Sequence, residues 1–268
     1  MFYLLSLEWK KQRKFSIFRV LIGFYLLLLP TLILVTKRIP EFPPPINSSD
    51  TFFRFPTVFA YLGYSGNWLS FFFLGFLGVI LVTQEFGTRT LRQNIIAGLL
   101  RREYYLSKVY FILAVCLGAT LYYALIALSY GFTHTPSVYT STVMQNIDYI
   151  PRYFLMCLGY MSFGFLLGVW IRRTGIALFL YFSYVMFLEL ILRWVVHLKL
   201  FEHKTMQFYP LNAIEDLVPI PISDVAEGFE KQFDFNFFLS PGEAVIASSI
   251  YISLFLFLAY RLLERKDL

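Results

Sequence analysis

The sequence predicts an all-α, polytopic membrane fold with six transmembrane helices, and three observations predict it. Hydrophobic residues make up 58% of the 268 positions, charged residues only 15%, and the mean hydropathy is +0.63. A soluble globular chain carries roughly 25% charged residues. Uncharged apolar runs recur at about the 20-residue length that a helix needs to cross a bilayer. The alternating segments of about 10 residues that mark barrel strands are absent. Backbone groups in hydrocarbon must be satisfied internally, so unbroken apolar runs of this length are expected to be helices.

The first span is expected at about 17–36, built on the uncharged run Val20 to Thr36. Its basic flank resembles that of a signal peptide. The run is long, however, and ends in Lys37-Arg38 and prolines without a small-residue cleavage site. From Lys37 to Arg54 an extended loop is expected, because Pro40, Pro43, Pro44 and Pro45 bar a helix there. Asn47-Ser48-Ser49 in this loop fits a glycosylation sequon, a three-residue pattern of little specificity. The second span, about 58–83, lies within the uncharged run Phe55 to Gln84.

The connection from 84 to 108 reads QEFGTRTLRQNIIAGLLRREYYLSK. Thr88, after Gly87, is placed to cap a short helix. Leu91, Ile95 and Ile96 fall on one face at helical spacing, with Arg89, Arg92 and Gln93 elsewhere. Gly98 is placed to end that helix, since glycine tolerates the positive φ of a C-cap. Arg101 and Arg102 open a second element that leads into span three. This amphipathic helix has two readings, a lipid-surface helix that snorkels its arginines and a docking knob for a cytoplasmic partner.

The third span is expected at about 109–132 and the fourth at about 153–171. Gly164 and Gly168 in the fourth form a G-x-x-x-G, which lets helices approach closely. The fifth, about 174–193, is interrupted by Glu189. Glu189, Arg193 and His197 recur every four residues, so an intramembrane charge pair Glu189–Arg193 is expected. It is read as a structural pair in preference to a substrate or ion contact. The segment 197–243 is acidic, with eight carboxylates against Lys199, Lys204 and Lys231. Asn212 to Val218 has room for one or two helical turns before Pro219-Ile220-Pro221. Asp224, with Glu227 three residues on, is placed to cap another helix. The segment is either a re-entrant hairpin or a surface loop with aromatic anchors. The sixth span is expected at about 244–260.

Charge sets the expected orientation. With the N-terminus inside, the inner segments hold 15 of the 23 Lys and Arg and 5 of the 17 acidic residues. Both termini are then cytoplasmic. The basic excess belongs to the membrane face, which argues against a nucleic-acid partner. Cys116 and Cys157 sit inside apolar runs as buried thiols, and no Cys/His spacing suggests a metal. There is no Gly-Lys dipeptide and hence no P-loop. Neither H-E-x-x-H nor G-x-S-x-G occurs.

These features line up with a family. The stretch LEWKKQRK, the inner segment EFGTRT and LLRREYYLSK, and the closing YRLLERKDL resemble the membrane permease subunit of type-2 ABC exporters. That family ends its second span with a glutamate followed by Gly-Thr, matched by Glu85, Gly87 and Thr88. A basic residue and a lysine follow at the entry to span three, matched by Arg101 or Arg102 and by Lys108. The closing Lys266-Asp267-Leu268 fits the family's usual tail, and Asn212–Phe238 is similar to its re-entrant helices. The resemblance implies an ATP-driven exporter permease in a bacterial cell membrane. It implies a dimer, either a homodimer or a pair with a paralogous permease. A separate P-loop ATPase subunit would carry the ATP and Mg. It implies coupling to that ATPase through Glu85, Gly87, Thr88, Arg89, Leu91, Arg92, Ile95, Ile96, Arg101 and Arg102. This chain would hold no cofactor of its own and would not be an enzyme. The alternatives are an intramembrane enzyme, for which no catalytic constellation is evident, and a membrane scaffold that transports nothing. Nothing in the sequence selects a substrate.

Overall fold

The structure is a computed structural model that describes residues 2–38, 49–88, 90–96, 98–201, 203–221 and 238–265. It is all-helical, with no strand among the described residues. A surface helix α1 (Phe2–Gln12) precedes α2 (Ser16–Leu34), α3 (Val58–Gly87), the short α4 (Thr90–Ile96) and α5 (Arg101–His134). Then come α6 (Tyr149–Ile171), α7 (Thr174–Leu200), the six-residue α8 (Pro210–Glu215) and α9 (Pro241–Arg265). Six of these helical stretches are long and apolar enough to cross a membrane, and this is a multi-pass membrane protein. The expected order of spans stands. The helices overrun the apolar windows, because helical hydrogen bonding continues past the depth at which hydrophobicity is required. Thus α5 begins at Arg101, α6 begins at Tyr149 beside an Asp148–Arg152 ion pair of 2.6 Å, and α7 continues to Leu200.

The span lengths leave α1, α4, the start of α5 and the end of α9 together at one end, called here the basal end. There Arg101 Nη1 donates to the carbonyls of Leu263 and Glu264, 3.2 and 2.9 Å away, closing the last turn of α9. The α3–α6 pair forms the centre: 72% of the apolar window of α3 is buried and 72% of the stretch ending in α6, against 22% for α2 and α9. Small residues make this possible. A Cβ on Gly164 would stand 2.3 Å from the Gly75 carbonyl oxygen, and one on Gly168 would stand 2.8 Å from that of Val79. The G-x-x-x-G is therefore a packing seam against α3.

Two irregularities are satisfied by tyrosines from neighbouring helices. Pro30 inside α2 has no N–H, so the Leu26 carbonyl loses its helical donor. The Tyr122 hydroxyl supplies one at 2.7 Å. In α3 a π turn spans Ser70–Leu74. Such a turn shifts the helical ladder by one residue, and the Tyr181 hydroxyl donates to the Phe71 carbonyl at 2.9 Å.

The segment after α7 returns into the bundle. Leu211, Ala213, Ile214, Leu217 and Val218 are buried. A Cβ on Gly159 of α6 would press on Ile214, and one on Gly63 of α3 on Val218. The described part, Asn212 to Val218, thus packs against the bundle, with the expected helical turns forming α8 two residues earlier, from Pro210. The expected helix at Asp224, the Asn47 sequon and the closing Lys266-Asp267-Leu268 lie outside the described residues.

Candidate functional site

Four charges meet at the basal end. α1 is amphipathic and presents Glu8, Lys11 and Gln12 on one face by i, i+3 and i+4 spacing. Glu85 comes from the last turns of α3 and Lys108 from the third turn of α5. Glu8, Glu85 and Lys108 are all buried, at 1%, 2% and 0% exposure. Lys108 Nζ donates to Glu8 Oε1 at 2.5 Å and also to Glu85 Oε1. Lys11 Nζ reaches Glu85 Oε1 at 2.5 Å and Glu8 Oε2 at 3.4 Å, and Gln12 Nε2 donates to Glu8 Oε1 at 2.8 Å. The Tyr104 ring lies under the Lys108 ammonium, 5.1 Å away at its centroid. Two carboxylates and two ammonium groups give no net charge, which is what makes this burial tolerable.

Outside the spans, burial works against an ionised Glu8, but Lys108 and Lys11 outweigh it and hold its pKa below the ordinary glutamate value. Burial likewise disfavours the Lys11 ammonium, and the two carboxylates overcome this and raise its pKa. The cluster is thus a clasp that ties α1 to the ends of α3 and α5.

The segment beyond the clasp carries the residues singled out for coupling. Gly98 ends α4 with φ +99°, as its place in the sequence predicts. Thr88 does not cap α4: its hydroxyl donates back to the Gln84 carbonyl at 3.0 Å and lies 2.5 Å from Thr90 Oγ1. Gly87 is exposed and open on its Cβ side. The expected apolar face is split. Leu91 is 2% exposed and Ile95 packs against the core, so both face the bundle, whereas Ile96 is 78% exposed. Residues four apart share a helical face and Ile96 stands one position round from it. The apolar side chains left exposed here are Ile96 and Leu100, the latter 65% exposed. Arg101 closes α9, as described, and Arg102 is exposed. Arg89 and the side chain of Arg92 lie outside the described residues.

Glu189 and Arg193 do not bond to each other. Each reaches the returning segment. The Glu189 carboxylate accepts the backbone N–H groups of Leu211 at 3.1 Å and Asn212 at 2.6 Å, the free donors at the start of α8. Arg193 Nε donates to the Met206 carbonyl at 3.1 Å, and its Nη2 pairs with Gln207 Oε1. The other end of α8 is held by Asn67 of α3, whose Nδ2 donates to the carbonyls of Glu215 and Val218, both at 3.2 Å. Tyr160 donates to Asn67 Oδ1 at 2.8 Å. Sequence reasoning missed Asn67, whose signal was a lone amide in an uncharged span. It also missed the clasp partners Glu8 and Lys11, whose signal was an isolated acid in a basic stretch.

The sequence model of one family, described as a protein of unknown function (DUF2705), matches residues 46–268. This chain belongs to the DUF2705 family. The DUF2705 match takes in α3 through α9, and with them Glu85, Lys108, Asn67 and Glu189, while Glu8 and Lys11 precede it. No curated protein matches the sequence.

Proposed function

We propose that this chain is the permease subunit of an ATP-driven type-2 ABC exporter, working as a dimer with a separate P-loop ATPase. The observation that carries the reading is the basal clasp. It joins α1 to the ends of α3 and α5, and Arg101 joins the start of α5 to the end of α9. Four elements that flank α4 are thereby held as one body. A push on α4 from a cytoplasmic ATPase would pass into the bundle through Leu91 and Ile95, which face inward, while the exposed Ile96 and Leu100 would be open to the partner. The resemblance of EFGTRT and LLRREYYLSK to the coupling segment of such permeases supports the same assignment. Under this reading both termini are cytoplasmic and ATP and Mg are held by the partner.

The test is co-purification of the ATPase with the full chain from its native membrane. Ile96→Asp combined with Leu100→Asp should release the ATPase by at least tenfold while leaving the permease folded, because both side chains are exposed. Ile95→Asp should instead damage folding. Undiminished recovery of ATPase with the Ile96→Asp, Leu100→Asp variant, or no ATPase with the wild type, would defeat the proposal.

A further inference from the structure

A half-open cavity of about 240 Å³ lies between α3, α6, α7 and the end of α8, at the small end for a ligand site. Trp68, Phe71 and Tyr160 line it, Asn67 and Glu215 are at its wall, and aliphatic side chains of α7 complete it. Trp68 is 47% exposed into open space, and Phe71 and Tyr160 form the buried base. Nothing assigned so far uses this space.

Glu215 is the informative residue. Its backbone carbonyl is taken by Asn67, but its carboxylate makes no hydrogen bond or ion pair with any described residue. The side chain is exposed into the cavity even though protein surrounds it on most sides, and that burial raises its pKa. Glu189 lies nearby with both oxygens taken by backbone N–H groups, Asp216 Oδ2 accepts from the Leu239 N–H and from Asn212 Nδ2, and the Arg193 guanidinium acts on all three carboxylates.

From this geometry we infer that the cavity binds an organic cation of aryl-ammonium type, with Glu215 as its counter-charge and Trp68 as its aromatic platform. The permease reading supplies the context, and the inference deepens it by naming the class of molecule carried. A carboxylate beside an aromatic wall attracts a cation twice, by charge and through the ring faces, of which indole is the best. A metal ion is a poor fit. Calcium and magnesium require six or more oxygen ligands, and here one free carboxylate stands beside an amide oxygen already occupied by Tyr160. A weakly hydrated ammonium carried on a ring needs no such cage.

The probe is benzyltrimethylammonium, with neopentylbenzene as its uncharged isostere. Binding is measured by calorimetry on the full chain in phosphatidylcholine nanodiscs, without ATPase. Saturable binding of the cation to the wild type is expected. Glu215→Gln should weaken it at least tenfold and leave neopentylbenzene unaffected, and Trp68→Leu should weaken it severalfold. Glu215→Gln removes only an unbonded exposed charge, so the fold should persist, and Trp68→Leu gives an independent reading. Absence of saturable binding to the wild type, or equal affinity in both variants, overturns the inference. Cation binding by a chain that recruits no ATPase would defeat the permease reading alone. ATPase recruitment without cation binding would defeat this inference alone.

Discussion

Lys108 is the residue on which the basal end turns, because two carboxylates from different elements converge on its one ammonium. Removing it leaves the buried Glu8 and Glu85 with Lys11 as their shared cation, one positive charge against two carboxylates. Breaking a buried ion pair from one side costs on the order of 3–5 kcal/mol. Lys108→Met should therefore lower stability by about that amount, read as a fall in the thermal midpoint of the detergent-solubilised protein. A midpoint within experimental error of wild type would contradict the clasp. The same cluster sets a pH dependence. The pKa of Glu8 is lower in the folded state than its ordinary value of 4.5. Its contribution is therefore complete above that value and is lost as pH falls through the folded pKa. Protection of α1 against proteolysis should be constant from pH 7 to about 5 and should decline below that. Protection that declined on raising the pH instead would show that the sign is wrong.

At the scale of the element, α8 is the instructive case. Six residues cannot hold a helix by themselves in water, because nucleation is costly and most of their backbone groups lie in the end turns. Here Glu189 takes the donors at one end and Asn67 donates to the carbonyls at the other, while Ser248 Oγ donates to the Ala213 carbonyl at 2.8 Å. Glu189→Leu keeps the bulk but leaves two buried N–H groups without an acceptor. Each such loss costs about 1–3 kcal/mol. The expected outcome is faster hydrogen exchange at 211–215 with little change at the α3–α6 seam. Unchanged exchange in that stretch would show that α8 is held by packing alone. The charge pair expected from the i, i+4 spacing gives way to this arrangement because helix-terminal N–H groups bind a carboxylate as well as a cation does.

The described residues form a bundle of six spans whose peripheral helices expose most of their apolar surface. Only 17% of the apolar window of α7 is buried, and 22% of that of α2. Such surface is accounted for by lipid and, under the permease reading, by a second copy. An even number of spans returns a chain to the side on which it starts, and under the permease reading the Lys and Arg asymmetry would make that side the cytoplasm. Reporter fusions after Arg265 and at Asp50 should report opposite sides of the membrane, with Arg265 cytoplasmic. Both reporters on the same side would remove a span from this description.

The sequence by itself left the path of the chain near Asn212 open, and it determined the number, order and approximate limits of the spans, the break at Gly98 and the close-packing role of Gly164 and Gly168. Each of these follows from hydrophobic length, helical period or glycine geometry, which are properties of neighbouring residues. Tertiary structure decided which helices are central, since hydropathy is similar in all six and only the seam of small residues sets α3 against α6. It decided that Leu91 and Ile95 face inward while Ile96 faces out, because an amphipathic face does not say what covers it. It also decided the charge partners. Lys108 meets Glu8 across 100 positions of chain and Lys11 meets Glu85 across 74. Buried charges pair with whatever opposite charge the packing brings within reach, and no local spacing encodes that.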